Sequence, residues 1–78
     1  KDQLAELISN AETSFYNGQL QEAFSLSLSA IKLDENCADA YQYAANVCMS
    51  LSRYEDAIEY YQKVQIYIML ITQIEMNL

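Results

Sequence analysis

The chain has no histidine, no proline and a single glycine. Without histidine, no imidazole is on hand as a general acid, a general base or a metal ligand. With one glycine there is no glycine-rich phosphate loop. The two cysteines, Cys37 and Cys48, cannot build a cysteine-rich zinc site unaided. The absence of proline and the near absence of glycine predict helices joined by very short turns. Basic residues are also few: four against eleven acidic ones, a net charge of −7. The excess is even, −4 through Cys37 and −3 beyond it. Phosphate backbones and anionic membrane surfaces are repelled by such a chain, so nucleic acid is not an expected partner. A basic protein segment would be welcome, although even acidity also serves solubility.

What is present is apolar. Of 78 residues, 53% are hydrophobic, too many for a disordered chain. The length allows one small domain, or a piece of one, with a limited core that stacking would help. The chain begins at Lys1 rather than a methionine, which reads as an excised or processed segment. Cys48 lies in an apolar helical pattern and reads as a small buried residue. Reduced thiols and an intracellular, cytoplasmic setting are expected.

The organising stretch is Ser52 to Val64. A polar turn leads into Glu55 and Asp56, acids that suit a helix N-terminus. Ala57, Tyr61 and Val64 then share one face. An earlier stretch, Gly18 through Phe24, has the same form, and Ala23 and Ala57 stand 34 residues apart, as do Ala11 and Ala45. An internal repeat of that period is the strongest fold signal in the chain.

Taken in order, residues 1–17 read as a first helix with Leu4, Leu7, Ala11 and Ser14 on one stripe, stopped by Gly18. Leu20 to Leu33 is a second helix with a small inner face at Ala23, Ser27 and Ala30. Asp34 to Cys37 is a polar connection, with Asn36 expected to cap the third helix. Asp34 and Glu35 lack the ligand spacing of a calcium loop, and no metal is expected there. Ala38 to Leu51 is that third helix, and its inner stripe is Tyr41, Ala44, Ala45 and Cys48. Ser52 takes the place of Gly18, so it must either strain or use a different turn. Tyr41, Tyr54 and Tyr61 are expected in core or hairpin packing.

The fourth helix has no stop signal. Ile68-Met69-Leu70 stands where the first hairpin has its polar break. The inner face is expected to run on through Val64, Ile68, Ile71 and Leu78, with Ile66, Tyr67, Leu70 and Ile74 off it. A helix apolar all round must be buried on more than one side. Val64–Ile74 is too short to span a bilayer, so no membrane insertion is expected. The segment should pack on something beyond the two hairpins. Self-association through Ile66, Tyr67, Leu70, Ile71 and Ile74, as a homo-oligomer, is the simplest way to cover it.

These residues resemble the tetratricopeptide repeat family. The resemblance rests on Leu20, Glu22, Ala23, Ala30, Leu33, Asp34 and Asn36 in one copy. In the other it rests on Tyr41, Ala45, Tyr54, Asp56, Ala57, Tyr61, Lys63 and Val64. Ser14 and Cys48 replace an aromatic that is usual in the family, and beyond Val64 the pattern lapses. The resemblance implies an all-α fold of antiparallel helical hairpins stacked as a short right-handed α-solenoid. Repeat one would cover about 4–37 and repeat two about 38–67, running into an apolar extension to 78 within one domain, 1–78. It also implies a concave surface that binds proteins or peptides, lined by the first helix of each repeat. Carried over, that surface holds Ala5, Ile8, Glu12, Phe15 and Tyr16, then Asp39, Gln42, Tyr43, Asn46, Met49 and Ser50.

Some members of the family clamp the C-terminal carboxylate of heat-shock chaperones with a lysine and asparagines. The matching positions hold Ile8, Glu12 and Tyr43, and a glutamate repels a carboxylate, so that partner is not expected. The acids Glu55, Asp56 and Glu59 sit at a helix start and read as structural rather than catalytic. The sequence therefore points to a binding module without catalytic residues, metal or cofactor. Glu12 and Asp39 would read a partner's charge while Phe15, Tyr16, Tyr43 and Met49 supply contact area. A structural homo-oligomer, or a piece of a larger repeat protein whose activity lies elsewhere, is the alternative.

Overall fold

A computed structural model describes residues 2–76. Its elements are four helices: α1 (Gln3–Tyr16), α2 (Leu20–Leu33), α3 (Ala38–Ser50) and α4 (Tyr54–Met76). α1 starts at Gln3 because Asp2 caps it, its carboxylate accepting from the backbone N–H groups of Leu4 (3.1 Å) and Ala5 (3.3 Å). Consecutive helices pack as hairpins, and α3 also touches α1, which makes α3 the central element.

The two hairpin turns close in the same way. After α1, the N–H of Gln19 donates to Ser14 O (2.8 Å) and that of Gly18 to Phe15 O (3.1 Å). After α3, Arg53 donates to Cys48 O (2.8 Å) and Ser52 to Met49 O (3.1 Å). Both are paired closures of a helix C-terminus that require a left-handed residue. Gly18 sits at φ 79° and Ser52 at φ 62°. Of the two outcomes open to Ser52, the chain takes the strained one.

The core is thin and built of small residues. Ala11, Ala23, Ala30, Ala40, Ala44, Ala45 and Ala57 are completely buried, and the largest fully buried side chains are Val47, Cys48 and Ser27. Small contacts let helix axes approach closely. Ser27 is satisfied by its own helix, donating to Ala23 O at 2.9 Å, and Ser14 donates to Glu22 (3.2 Å). α3 buries two faces. The expected stripe, Tyr41, Ala44, Ala45 and Cys48, is buried, and so are Ala40 and Val47, in a helix packed against both α2 and α4.

Three expectations are corrected. Asn36 does not cap α3: the cap position is Cys37, which makes no side-chain bond. Instead the Asn36 N–H donates to Asp34 Oδ1 (3.0 Å), folding the connection on itself. Tyr54 is not packed in the hairpin but 56% exposed. The inner face of α4 ends near Tyr67. Val64 is buried, yet Ile68 and Ile71 are half exposed or more, and Leu78 lies outside the described residues.

The reason is length. α4 has 23 residues against 13 or 14 in the others, about 34 Å against about 20 Å. α3 and the α2–α3 connection end level with Tyr67, so Ile68 and Ile71 have no neighbour to meet. The radius of gyration is 13.0 Å, above the roughly 11.5 Å of a compact chain of this size.

Candidate protein-binding surfaces

The first candidate is the face shared by α1 and α3. Tyr43 of α3 is half-buried there, with Glu12, Tyr16 and Asp39 around it. Burial raises the Tyr43 phenol above its usual pKa. The charge of the nearby Glu12 carboxylate, then Tyr16 and Asp39, push the same way. The site thus holds a neutral phenol in an acidic field. Beside it is a shallow depression of about 340 Å³, lined by residues that include Leu4, Ala5, Ile8, Glu12, Cys37 and Asp39. Among the described residues its walls carry acids and apolar groups and no base.

Ile8, Glu12, Tyr16, Asp39 and Tyr43 are therefore brought together. Phe15 is half-buried and meets the Tyr16 ring edge-on at 5.5 Å, while Tyr16 itself is largely exposed. Met49 is also exposed, at the far end of α3. Gln42 and Asn46 are engaged elsewhere: Asn46 Oδ1 accepts from Tyr61 (2.6 Å) and from Gln42 (3.4 Å), tying α3 to α4. Sequence reasoning missed Asp2, Leu4, Ser9 and Cys37 as lining residues. Leu4 and Ser9 could have been found from the helical spacing around Ala5 and Ile8. Cys37 could not, because it arrives through a loop.

The second candidate is the projecting end of α4. Ile66, Leu70, Ile71 and Ile74 are all more than half exposed. Tyr67, expected off the inner face, is turned onto it. Its hydroxyl donates to Glu35 O (2.8 Å) and Asn36 Oδ1 (3.3 Å), and its ring lies 5.9 Å from that of Tyr41. A phenol reaches the α2–α3 connection where an aliphatic side chain would not. Tyr41 donates to the same Glu35 carbonyl (2.9 Å) and is also near Tyr60, which meets Phe24 of α2. Lys63 Nζ lies 5.6 Å from the Tyr41 ring centre. This aromatic ladder joins α2, α3 and α4 and is packing rather than a binding groove. Burial first, then Tyr67 and Glu35, raises the Tyr41 phenol.

Cys37 and Cys48 are both free thiols, Cys37 half-buried and Cys48 fully buried. Burial, with Asp56 adding and Arg53 opposing, raises the Cys48 thiol, the reverse of what a reactive cysteine needs. Among the described residues, no three metal-ligating side chains converge, and no helix is long and apolar enough to cross a membrane. No protein-family model matches the chain, no curated protein matches it, and no solved structure matches it.

Proposed function

We infer that the chain is a protein–protein interaction module of the helical-repeat type, its hairpins stacked as a short solenoid like that of tetratricopeptide repeats. It is read as a binding domain in the cytoplasm, without catalysis of its own. The α1–α3 face takes an extended or helical segment of a partner carrying basic and apolar residues. The carrying observation is the cluster of Glu12, Asp39 and Tyr16 around Tyr43, beside a depression with acidic and apolar walls. Apolar groups would enter the Leu4, Ala5 and Ile8 side, and cations would meet Glu12 and Asp39. The same acids argue against an anionic chaperone tail and against nucleic acid. The exposed end of α4 adds self-association, so that the module acts as a homo-oligomer.

The test is selection from a displayed library of random twelve-residue peptides against the full chain. The expected winners combine lysine or arginine with large apolar residues, and their binding weakens at least tenfold on Glu12→Lys with Asp39→Lys. Winners that are acidic, or that bind the charge-reversed chain equally well, would rule the reading out.

A further inference from the structure

The 34-residue repeat makes α4 the counterpart of α2, but their surroundings differ. Leu20, Phe24 and Ile31 of α2 are half-buried: α2 packs against both α1 and α3, and Phe24 also meets Tyr60 of α4. Their counterparts on α4, Tyr54, Ile58 and Gln65, are all exposed. The same line continues past the body of the molecule. Tyr54, Ile58, Gln65, Met69, Thr72 and Met76 follow helical spacing along the whole of α4. Near its end Ile68, Met69, Thr72 and Met76 border a depression of about 490 Å³. No charged residue lies within about 60° of this line, taking 100° per residue. Glu55, Asp56, Glu59, Lys63 and Glu75 all fall outside it. In a chain of net charge −7, a charge-free stripe about 34 Å long is the surface on which like can meet like.

We propose that this stripe is the interface of a two-fold dimer, α4 lying antiparallel on α4 of a second copy with Gln65 at the axis. It rests on the self-association reading above and names the side of α4 that performs it. Three observations favour this occupant. Met76, Met69, Tyr54, Ile58 and Ile68 are 80, 65, 56, 56 and 50% exposed. Together that is on the order of 600 Å² of mostly apolar surface, about three-quarters of the ~800 Å² each partner gives to a standard interface. Head-to-tail stacking, with α1 of another copy on α4, has no matching surface. Where α3 buries Ala40, Ala44 and Val47, α1 has Glu6, Asn10 and Thr13 at the matching positions, all exposed, a polar cap of the kind that ends a stack. Finally, parallel pairing would set the acidic first turns at Glu55 and Asp56 side by side. Antiparallel pairing moves them a helix length apart, and Met76 then meets Tyr54 of the second copy.

Sedimentation equilibrium of the full chain over a concentration series tests this. Twice the chain mass is expected, falling to the single mass in Ile58→Glu/Met69→Glu with helicity unchanged by circular dichroism. In a Cys37→Ser background, Gln65→Cys should cross-link to its own copy under copper-phenanthroline, and Met76→Cys should not. A monomer at every concentration overturns both the dimer and the self-association reading. A dimer that survives Ile58→Glu/Met69→Glu but fails in Ile66→Glu/Leu70→Glu overturns this interface alone. Cross-linking at Met76→Cys without Gln65→Cys overturns the antiparallel arrangement.

Discussion

α2 and α4 start alike and end differently. Each opens with an acidic first turn, each buries an alanine one turn in, Ala23 or Ala57, and each buries a second small residue at Ala30 or Val64. α2 then stops at Leu33, where the Asp34 N–H closes on Ala30 O and the chain turns. α4 has Ile68-Met69-Leu70 in place of that break and continues to Met76. The contrast teaches that the repeat sets the packed half of each helix, while the breaker sets how much helix is left over. It also shows what covering helices do: the neighbours of α2 hide the side that α4 still presents.

The comparison breaks most readily at the centre. Ala44 is fully buried in α3, the helix that packs against both α2 and α4. Ala44→Leu should destabilise the fold by about 2–3 kcal/mol through overpacking, read as a lower denaturant midpoint. If the midpoint holds, the hairpins are not in close contact and α2 is not covered as described.

High pH is expected to loosen the same contacts. Burial raises the phenols of Tyr41, Tyr43 and Tyr60 above 10.0 and the Cys48 thiol above 9.0. A group whose pKa is raised on folding lends stability below its unfolded pKa and loses it as pH rises through the folded one. The melting temperature should therefore be level up to about pH 9 and decline above it. Cys48→Ala should remove the earliest part of the decline. A melting temperature that rises above pH 9 would contradict the burial of these groups.

The turns sharpen the comparison at smaller scale. Gly18 and Ser52 hold the same left-handed position, and a side chain there costs about 1–2 kcal/mol. Gly18→Ser should destabilise by about 1 kcal/mol and Ser52→Gly should stabilise by slightly less, since glycine also loses more freedom on folding. Chain neighbours aside, no atom lies within 4 Å of where a Cβ would sit at Gly18, so backbone strain dominates the effect. Equal effects of the same sign would mean the turns are not equivalent.

The smallest expected effect is at the point where the helices part. Tyr67→Phe removes the hydroxyl bonds to Glu35 and Asn36 and should cost about 0.5–1 kcal/mol. Hydrogen exchange should quicken in α4 beyond Val64 but not before it. Exchange unchanged there would mean that the aromatic ladder, not the hydroxyl, ends the packed half.

Much of this was legible in the chain. Four helices, both turns and the buried stripes Ala11–Ser14, Ala23–Ser27–Ala30 and Tyr41–Cys48 come from spacing and from the single glycine. Less was legible at the candidate surface. Ile8, Glu12, Asp39 and Tyr43 are placed on one surface by the family resemblance, not by spacing. That Asn46 is bound by Tyr61, or that Cys37 joins the depression, could not be read at all, because each depends on which way a neighbouring element leans. Tyr67 is the plainest case: counting along the helix puts it off the inner face, and its long side chain brings it back.

The sequence by itself determined the helical class, the period, the small residues at the crossings and an acidic net charge of −7. These are consequences of local periodicity and of charge, which need no neighbour to be read. Only the tertiary structure decided where the packed part of α4 ends and that α3 carries a second buried face at Ala40 and Val47. It also decided which side of α4 is left open. Those depend on the relative lengths and positions of elements far apart in sequence, because burial belongs to pairs of surfaces and not to single helices.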